Sequence, residues 1–300
     1  MSEPNKEVVI DDFEAREDKV IIFGGGGVGK SFSVASTLIN APANRRIIYL
    51  MTERNAVSGL ERGLKHYNID VKAGQLIYVF PKKKSKAFVD LDRAITAFGK
   101  QSKAAALQGN KDTTQGKEFY TFFSSIISSL KDFSGTDYVT KEVVKIGNVG
   151  ELEESDILVI DGLSPITHEI WQATVGDKIQ ISMSDYMAPQ YTLYKVFADL
   201  GSLECSVILL AHEKDMTDDK GTILSTLIDT GVGHANYAKL MGCFTDVIHA
   251  YKFGSLYKWE GEKAKVGCIS RVIPKETNLE PNFSLYNFFG NKGSYKEKTK

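Results

Sequence analysis

The sequence predicts an α/β protein whose mainly parallel central sheet is flanked by helices, with an antiparallel extension at the carboxyl-terminal end. Three observations lead to this fold class. Short apolar runs alternate with longer stretches of helical spacing. The short runs are apolar at almost every position, which is expected of strands buried on both faces. After residue 245 the pattern changes to closely spaced short strands separated by glycine-containing turns, as in β-hairpins.

The first predicted strand, Lys19–Phe23 (KVIIF), runs directly into four glycines. Helical spacing follows over 31–39, and the residues Asn40-Ala41-Pro42 close this helix. Further parallel strands are expected at 46–51, 75–80, 157–160 and 206–211. The extension is expected to consist of the strands DVIHAYKF, SLYKWE and CISRVI.

The stretch 81–155 differs from the rest of the chain. Two helices are predicted in it, near 89–98 and 118–133, with a polar, mobile loop at 108–116 between them. The predicted organisation is therefore an acidic segment at 1–18, a single domain at 19–290 with a helical insertion at about 81–155, and a basic, disordered tail at 291–300.

Composition excludes several classes of protein. The formal net charge is -1, so DNA contact would need a local basic patch. Cys205, Cys243 and Cys268 are far apart and form no CxxC pair, which indicates buried thiols in a reducing compartment. No signal peptide is recognisable, and no apolar run approaches the roughly 20 residues that cross a bilayer. We therefore expect a cytoplasmic protein with no membrane partner.

The glycine-rich segment GGGGVGKS satisfies the pattern GxxxxGK[ST] of a phosphate-binding loop. Such a loop wraps backbone N–H groups around phosphate oxygens, in conformations that glycine adopts most cheaply. Lys30 would contact the β and γ phosphates, Ser31 would ligate Mg²⁺, and the dipole of the following helix would favour the anion. The alternative is a glycine-rich turn with a chance lysine, but the required strand and helix flank the loop. The predicted nucleotide-binding residues are Gly24, Gly25, Gly26, Gly27, Val28, Gly29, Lys30, Ser31 and Phe32, and the predicted cofactors are ATP and Mg²⁺.

Asp161 follows four apolar residues, ILVI, in the form of a Walker B strand. An aspartate at the carboxyl end of such a strand holds Mg²⁺ through water beside the phosphate loop. The alternative is a strand that ends in an ordinary turn, since Asp161-Gly162 is also a favourable turn pair. We favour the metal role, because open α/β sheets bind ligands at the carboxyl edge of their strands.

Residue 162 is glycine, where many ATPases carry the glutamate that activates water. If hydrolysis occurs, another carboxylate is needed, and Glu53 at the end of the second strand is the candidate general base. Its alternative is a solvated side chain paired with Arg54. His212 follows the strand 206–211 and is a candidate γ-phosphate contact, or else a surface residue. The segment 215–233 after it is predicted to be a long loop without regular structure.

Together these motifs resemble the core of the RecA-type ATPases. GGGGVGKS, YLMTE, ILVID and VILLAHEK match that core in order, over about 18–54 and 155–275. The resemblance implies that Glu53 is the catalytic base, that His212 senses the γ-phosphate, and that the following loop contacts single-stranded DNA. One departure is His212, which stands where the recombinases proper usually have Gln.

The resemblance also implies a homo-oligomer, a ring or a filament, in which a basic residue of the neighbouring subunit reaches the γ-phosphate. Arg271 and Lys275, in CISRVIPKE, are candidates by position; the alternative is ordinary strand-end charges. The chain also resembles compact phage-encoded RecA-like ATPases of recombination and single-strand annealing. If it is phage-encoded, the expected location is the host cytoplasm.

A cluster of lysines follows the third predicted strand at the same edge of the sheet. These side chains could follow a DNA backbone, or form a solvated loop. The candidate DNA-binding residues are Lys82, Lys83, Lys84 and Lys86.

The predicted function is a DNA-stimulated ATPase that acts on single-stranded DNA in recombination, annealing, repair or replication. One alternative is a ring-forming helicase or helicase loader. A second is a small-molecule kinase, in which the Walker B strand is usually next to the P-loop strand; here two predicted strands intervene in sequence.

Overall fold

The computed structural model describes residues 18–39, 41, 44–53, 56–81, 126–175, 182–231, 239, 241–262, 266–270, 276–278 and 285. The strands are β1 (Lys19–Phe23), β2 (Ile47–Met51), β3 (Leu76–Val79), β4 (Phe133–Asp137), β5 (Val143–Gly147), β6 (Ile157–Asp161), β7 (Ser206–Ala211), β8 (Glu213–Thr217), β9 (Ile223–Ile228), β10 (Asp246–Phe253), β11 (Leu256–Glu260) and β12 (Glu276–Asn278). The helices are α1 (Lys30–Val34), α2 (Ala56–His66), α3 (Leu163–Val175) and α4 (Met187–Gly201), with 3-10 turns at Ala35–Leu38, Val149–Glu151 and Met183–Tyr186. A further helical segment occupies 126–131.

A ten-stranded sheet runs through the described part of the chain, in the order β12-β11-β10-β1-β7-β6-β2-β3-β4-β5. All neighbouring pairs from β10 to β3 in this order are parallel. Antiparallel strands extend it on both sides, β11 and β12 at one end and β4 and β5 at the other. The predicted fold class, a large and mostly parallel sheet flanked by helices, is confirmed.

Side chains alternate along each central strand and divide the core into two layers. On one face, Ile21 and Leu209 belong to the cluster that contains Phe197 of α4 and also residues of α3. On the other face, Ile22 belongs to the cluster that contains Leu60 of α2 and also residues of α1. Helices on both faces bury every position of β1, β2, β6 and β7, which explains why their sequences are apolar except at a few strand ends such as Lys19 and Asp161.

Helix α2 packs closely against α1, just behind the glycine-rich loop. A Cβ atom at Gly59 would lie 2.9 Å from Cβ of Ser31, and one at Gly63 would lie 2.7 Å from Cβ of Ala35 and overlap the carbonyl oxygen of Phe32. Residues four apart lie on the same face of a helix. The two glycines therefore allow a close approach that fixes the start of α1.

The region 81–155 is helical only in part. In the described residues the helix at 126–131 is followed by β4 and β5, an antiparallel hairpin that extends the sheet beside β3. The prediction of a helical insertion is therefore wrong for 133–147. The sequences FSGTD and VVKIG give only a weak strand signal, because both strands are partly exposed and their conformation depends on the pairing of β4 with β3 and of β5 with β4. The predicted helix 89–98, the polar loop 108–116 and residues 118–125 lie outside the described residues.

The segment after His212 is also different from the prediction of an irregular loop. Strands β8 and β9 pair antiparallel as a separate two-stranded sheet, from Glu213 and Ile228 at the root to a turn near Gly221, where φ is 81°. The Asp218 carboxylate accepts hydrogen bonds from the amides of Lys220 and Thr222 in this turn. Most of the hairpin is at least partly exposed, so its sequence lacks the apolar alternation that would have indicated strands.

The carboxyl-terminal extension begins as predicted, with strands over DVIHAYKF and LYKWE. Its first strand, β10, is parallel to β1 and therefore belongs to the core sheet. Of the predicted third strand, CISRVI, the described residues 268–270 form isolated bridges at Ile269 and residues 271–273 lie outside the described part of the chain. The strand that pairs with β11 is β12. Residues 1–17 and 291–300 lie outside the described residues. No helix in the described part of the chain combines the length and apolarity needed to span a bilayer.

Candidate nucleotide-binding site

The parallel register of the central strands brings the predicted site residues to one edge of the sheet. Phe23 pairs with Ala211, so the glycine loop and His212 leave the sheet side by side. Asp161 pairs with Met51 on one side and with Leu210 on the other. Gly24 and His212, which are 188 positions apart in sequence, therefore meet at the edge formed by the carboxyl ends of β1, β2, β6 and β7.

The loop itself has packed ends and an open middle. Gly27 and Gly29 have φ values of 74° and 91°, in the left-handed region that favours glycine. A Cβ atom at Gly24 would overlap the carbonyl oxygen of Ala250, whereas no atom lies within 4 Å of a Cβ at Gly26 or Gly27. The backbone from Gly26 to Gly27 therefore faces open space, as a loop that wraps around phosphate oxygens requires.

Lys30 lies across this loop. Its ammonium group donates hydrogen bonds to the carbonyl oxygens of Gly24 at 2.7 Å and Gly25 at 2.8 Å. Burial lowers the pKa of Lys30, and the negative charges of Asp161, Glu53 and Glu213 oppose that shift. The site thus has a partly buried cation with acidic groups around it, and this cation is well placed to neutralise an anionic ligand.

Asp161 and Ser31 form the pair that fits a magnesium ion. The Ser31 hydroxyl donates to Oδ2 of Asp161 at 2.6 Å, although 130 positions separate the two residues. Burial raises the pKa of Asp161, while hydrogen bonds from Ser31 and Tyr49 lower it. Mg²⁺ prefers oxygen ligands and keeps several waters, so one hydroxyl and one carboxylate are a suitable donor set. No group of three or more His, Cys, Asp or Glu suited to a metal occurs among the described residues.

Tyr49 is a member of this site that the sequence analysis missed. Its hydroxyl donates to Oδ2 of Asp161 at 2.7 Å, and its side chain is completely buried. Because Tyr49 lies two residues before the end of β2, it points to the same face as Met51 and its partner Asp161. The sequence did hold an indication of this role: Tyr49, with its hydroxyl group, is the single aromatic residue in an otherwise aliphatic strand, IIYLM.

Glu53 and His212 face each other above the sheet edge. His212 Nε2 is 3.3 Å from Oε1 of Glu53, and their side chains are 38% and 33% exposed. The hydrogen bond from His212 lowers the pKa of Glu53 more than burial raises it, and the charges of His212 and Lys30 lower it further. Glu53 is therefore ionised at neutral pH and partly open to water, as a water-orienting carboxylate must be. Arg54, its alternative partner, lies outside the described residues.

The ends of β2 and β6 are tied together next to this pair. The Thr52 hydroxyl donates to the carbonyl oxygen of Gly162 at 2.8 Å and accepts from its amide at 2.7 Å. A Cβ atom at Gly162 would lie 2.7 Å from Oε1 of Glu53. Glycine at position 162 therefore leaves the space that Glu53 occupies.

Two aromatic residues border the loop. The ring of Phe32 packs against His66, the last residue of α2, and Tyr67, which follows it, with ring centroids 5.2 and 5.5 Å apart, so its side chain belongs to the helix packing. Tyr257 of β11 is a residue that sequence reasoning missed: its ring carbon Cδ1 would be 3.5 Å from a Cβ at Gly29.

The remaining predicted residues are not brought into this site by the described part of the chain. The candidate DNA-binding lysines and the candidate trans-acting residues lie outside it: Lys82, Lys83, Lys84, Lys86, Arg271 and Lys275.

Comparisons with known proteins add little to this geometry. No protein-family model matches the chain, and no curated protein matches it. Among solved structures, it is similar to an ATPase from the type III secretion system of pathogenic bacteria, with 13% sequence identity over 79% of this chain and a TM-score of 0.35. The match covers 52% of that chain, about half its length. A TM-score of this size does not establish a common topology.

Proposed function

We propose that this chain binds ATP with Mg²⁺ at the loop from Gly24 to Ser31 and hydrolyses it to ADP and phosphate. The observation that carries the proposal is the 2.6 Å contact between the Ser31 hydroxyl and the Asp161 carboxylate. It joins the end of a GxxxxGKS loop to the end of an ILVID strand, and these are the two protein oxygens that a nucleotide-bound Mg²⁺ ion uses in P-loop proteins.

Each side chain has a role that follows from its position. Lys30 would bind the phosphates together with the loop amides, since its ammonium already lies over Gly24 and Gly25. Ser31 and Asp161 would hold Mg²⁺, which supplies charge neutralisation at the phosphate oxygens. Glu53 would orient water and accept its proton at Oε1 or Oε2, while His212 keeps the carboxylate ionised and in place.

The order of the strands supports an ATPase over a small-molecule kinase. Strand β7 lies between β1, which leads into the loop, and β6, which carries Asp161. The kinase alternative would place the Walker B strand next to the P-loop strand.

We further propose, from the resemblance to RecA-type ATPases, that a homo-oligomer of this chain acts on single-stranded DNA in recombination, annealing, repair or replication. The β8–β9 hairpin occupies the place of the predicted DNA-contacting loop. Between 213 and 228 it carries four acidic residues, Glu213, Asp215, Asp218 and Asp219, and two lysines, Lys214 and Lys220. Contact with a phosphate backbone would therefore come from Lys82, Lys83, Lys84 and Lys86 and not from the hairpin.

The ATPase proposal is tested by two substitutions with a matched control. Lys30→Ala is expected to abolish binding of Mg·ATP, because it removes the central cation of the site. Glu53→Gln keeps the shape but not the basicity, so it should lower kcat by about 10²–10⁴-fold while the Kd for ATP changes little. Glu61→Gln, on the exposed side of α2, should behave as wild type.

Nucleotide binding is best measured by calorimetry and turnover by phosphate release. Wild-type protein that does not bind Mg·ATP would refute the proposal, as would a Lys30→Ala variant that binds normally. Turnover that survives in Glu53→Gln would assign the base to another residue.

The DNA proposal has its own test. Single-stranded DNA at low salt should increase the rate of phosphate release by wild-type protein. Replacing Lys82, Lys83, Lys84 and Lys86 with Gln should reduce this stimulation and leave the basal rate unchanged. Equal turnover with and without DNA would contradict the DNA proposal and leave the ATPase proposal intact.

A further inference from the structure

A second group of titratable side chains lies on the opposite flank of the glycine loop from Glu53. His249 Nε2 is 2.8 Å from Oε2 of Glu213, and its Nδ1 is 3.2 Å from Oε2 of Glu260. The His249 and Glu260 side chains are only 9% and 6% exposed, whereas Glu213 is 33% exposed. This group is therefore a buried His–Glu pair that holds a partly exposed carboxylate.

The surroundings of His249 fix its ring. The ring stacks on Tyr251 at an interplanar angle of 11°, with ring centroids 5.5 Å apart, and its centroid is 5.0 Å from that of Phe23. A hydrogen bond joins Tyr251 to Glu260, and burial together with this carboxylate raises the pKa of Tyr251 to about 12. The His249 ring is thus held by contacts with Phe23 of β1, Tyr251 of β10 and Glu260 of β11.

Both ring nitrogens of His249 face a carboxylate oxygen. A neutral imidazole has a single N–H and can donate to only one of them. The contact with Glu213, at 2.8 Å, is the shorter of the two, so the imidazole binds Glu213 to the buried pair and defines the position of its carboxylate.

Glu213 also faces the glycine loop. Its Oε1 would be 3.0 Å from a Cβ at Gly25, so the carboxylate lies directly against the loop backbone. Its charge is one of three carboxylate charges that act on Lys30. An anion bound by the loop would therefore bring negative charge next to a carboxylate that is already there.

The root of the β8–β9 hairpin is consequently attached on both sides of the loop. Strand β7 has β1 on one side and β6 on the other. Of the two residues that follow it, His212 reaches across β6 to Glu53 after β2, and Glu213 reaches across β1 to His249 of β10. The amide of Asp229 closes the root by donating to the carbonyl oxygen of His212 at 2.8 Å.

We propose that Glu213 is a further positioning residue of the nucleotide site, held by His249 and Glu260, through which the charge at the loop sets the position of the β8–β9 hairpin. The inference rests on the proposed function. A bound polyphosphate repels the Glu213 carboxylate, while Lys30, which this carboxylate helps to hold, is drawn to the phosphates. Because Glu213 is the first residue of β8, movement of its side chain or backbone is passed directly to the hairpin. A ligand shifts a conformational equilibrium only through such a difference in interaction between the two states.

The test is amide hydrogen exchange across 213–231, measured with and without Mg·ATP at saturating concentration. In wild-type protein, nucleotide should change the exchange of the hairpin amides. Magnesium tripolyphosphate should produce the same change, because the signal is charge and not the base. Glu213→Gln should lose this response and bind Mg·ATP severalfold more tightly, since a like charge has been removed from beside the loop.

Two further variants make the test specific. Glu142→Gln, which removes an exposed carboxylate from the β4–β5 hairpin, should leave both the response and the affinity unchanged. His249→Gln keeps one hydrogen bond but releases Glu213, so it should weaken the response while nucleotide still binds. If His249→Gln does not fold, the inference is tested by whether Glu213→Gln loses the hairpin response.

The possible failures are distinguishable. Wild-type protein that binds neither Mg·ATP nor tripolyphosphate would refute the proposed function and this inference together. Nucleotide binding without any change in the hairpin, or an unchanged response in Glu213→Gln, would overturn the inference alone.

Discussion

At the scale of single residues, Asp161 carries a cost in stability. It is buried at 5% exposure, and burial raises the pKa of its carboxyl group. The folded protein therefore binds this proton more tightly than the unfolded chain does. The contribution of Asp161 to the free energy of unfolding consequently falls as the pH rises from its ordinary pKa through the raised one.

We expect Asp161→Asn to stabilise the protein in the absence of metal and nucleotide. The amide oxygen can still accept from Ser31 and Tyr49, but no charge is buried. The Tm in EDTA near neutral pH should rise by a few degrees, and the difference should disappear in acid, where Asp161 is protonated. The same variant should lose the magnesium dependence of ATP binding. If the variant is less stable than wild type in EDTA, burial of the Asp161 charge does not destabilise the folded protein.

Tyr49→Phe should change the pH dependence of the site. The Tyr49 hydroxyl helps to keep Asp161 ionised, so its removal raises the pKa of Asp161 further. Magnesium-dependent ATP binding, which needs the ionised carboxylate, should then fail at a higher pH than in wild type as the solution is acidified. Calorimetric titrations over a pH series provide the measurement. If ATP affinity falls at the same acidic pH in both proteins, this hydrogen bond has no effect on the proposed magnesium site.

At the scale of elements, the packing of α2 against α1 determines where the glycine-rich loop ends. Gly63→Ala adds a methyl group that meets Ala35 and the Phe32 carbonyl oxygen. Alanine improves helix propensity by about 1 kcal/mol, but overpacking costs about 1–3 kcal/mol, so we expect a net loss of stability. ATP affinity should fall as well, because the backbone at Phe32 follows directly on Ser31.

Chemical denaturation and calorimetry measure these two effects of Gly63→Ala. Glu61→Ala, on the exposed side of α2, is the control and should be neutral or slightly stabilising. A Gly63→Ala variant with higher stability than wild type would show that α2 can move away from α1 without cost.

The elements that the sequence predicted correctly are those whose burial leaves a clear pattern. Strands β1 and β7 were predicted to the residue because helices cover both of their faces and every position after the first, Lys19 or Ser206, is apolar. The β4–β5 and β8–β9 hairpins were missed because their strands are partly exposed and their sequences, such as EKDMT, have no apolar alternation. Their conformation depends on pairing between strands, which local sequence does not encode.

The candidate site shows the same contrast. The loop, Asp161, Glu53 and His212 could be found because they follow strands that the sequence defines. His249 and Glu260 could not, since they lie within or at the end of extension strands and meet Glu213 only through the parallel pairing of β10 with β1. A histidine inside DVIHAYKF carries no signal that distinguishes it from a core residue.

At the scale of the whole molecule, the proposed oligomer predicts that subunits complement each other. If Arg271 or Lys275 of one subunit reaches the phosphates of the next, the double variant Arg271→Ala/Lys275→Ala and the variant Glu53→Gln should each be inactive alone. An equimolar mixture should recover turnover, because some interfaces combine an intact Glu53 with intact basic residues from the neighbour. Phosphate release by the mixture, alongside light scattering with Mg·ATP, measures both properties. A mixture as inactive as its components, in a protein that does assemble, would remove these residues from the proposed site.

The 2.7 Å between a Cβ at Gly162 and the Glu53 carboxylate has a consequence for how this chain can change. Any larger residue at position 162 would displace Glu53 from His212. Because the Glu53 side chain is flexible, this displacement would cost little in folding stability. Substitution there would thus be silent in stability and harmful in turnover. A carboxylate placed after β6, at position 162, would take the space of the carboxylate after β2 and would move Glu53 from its present position.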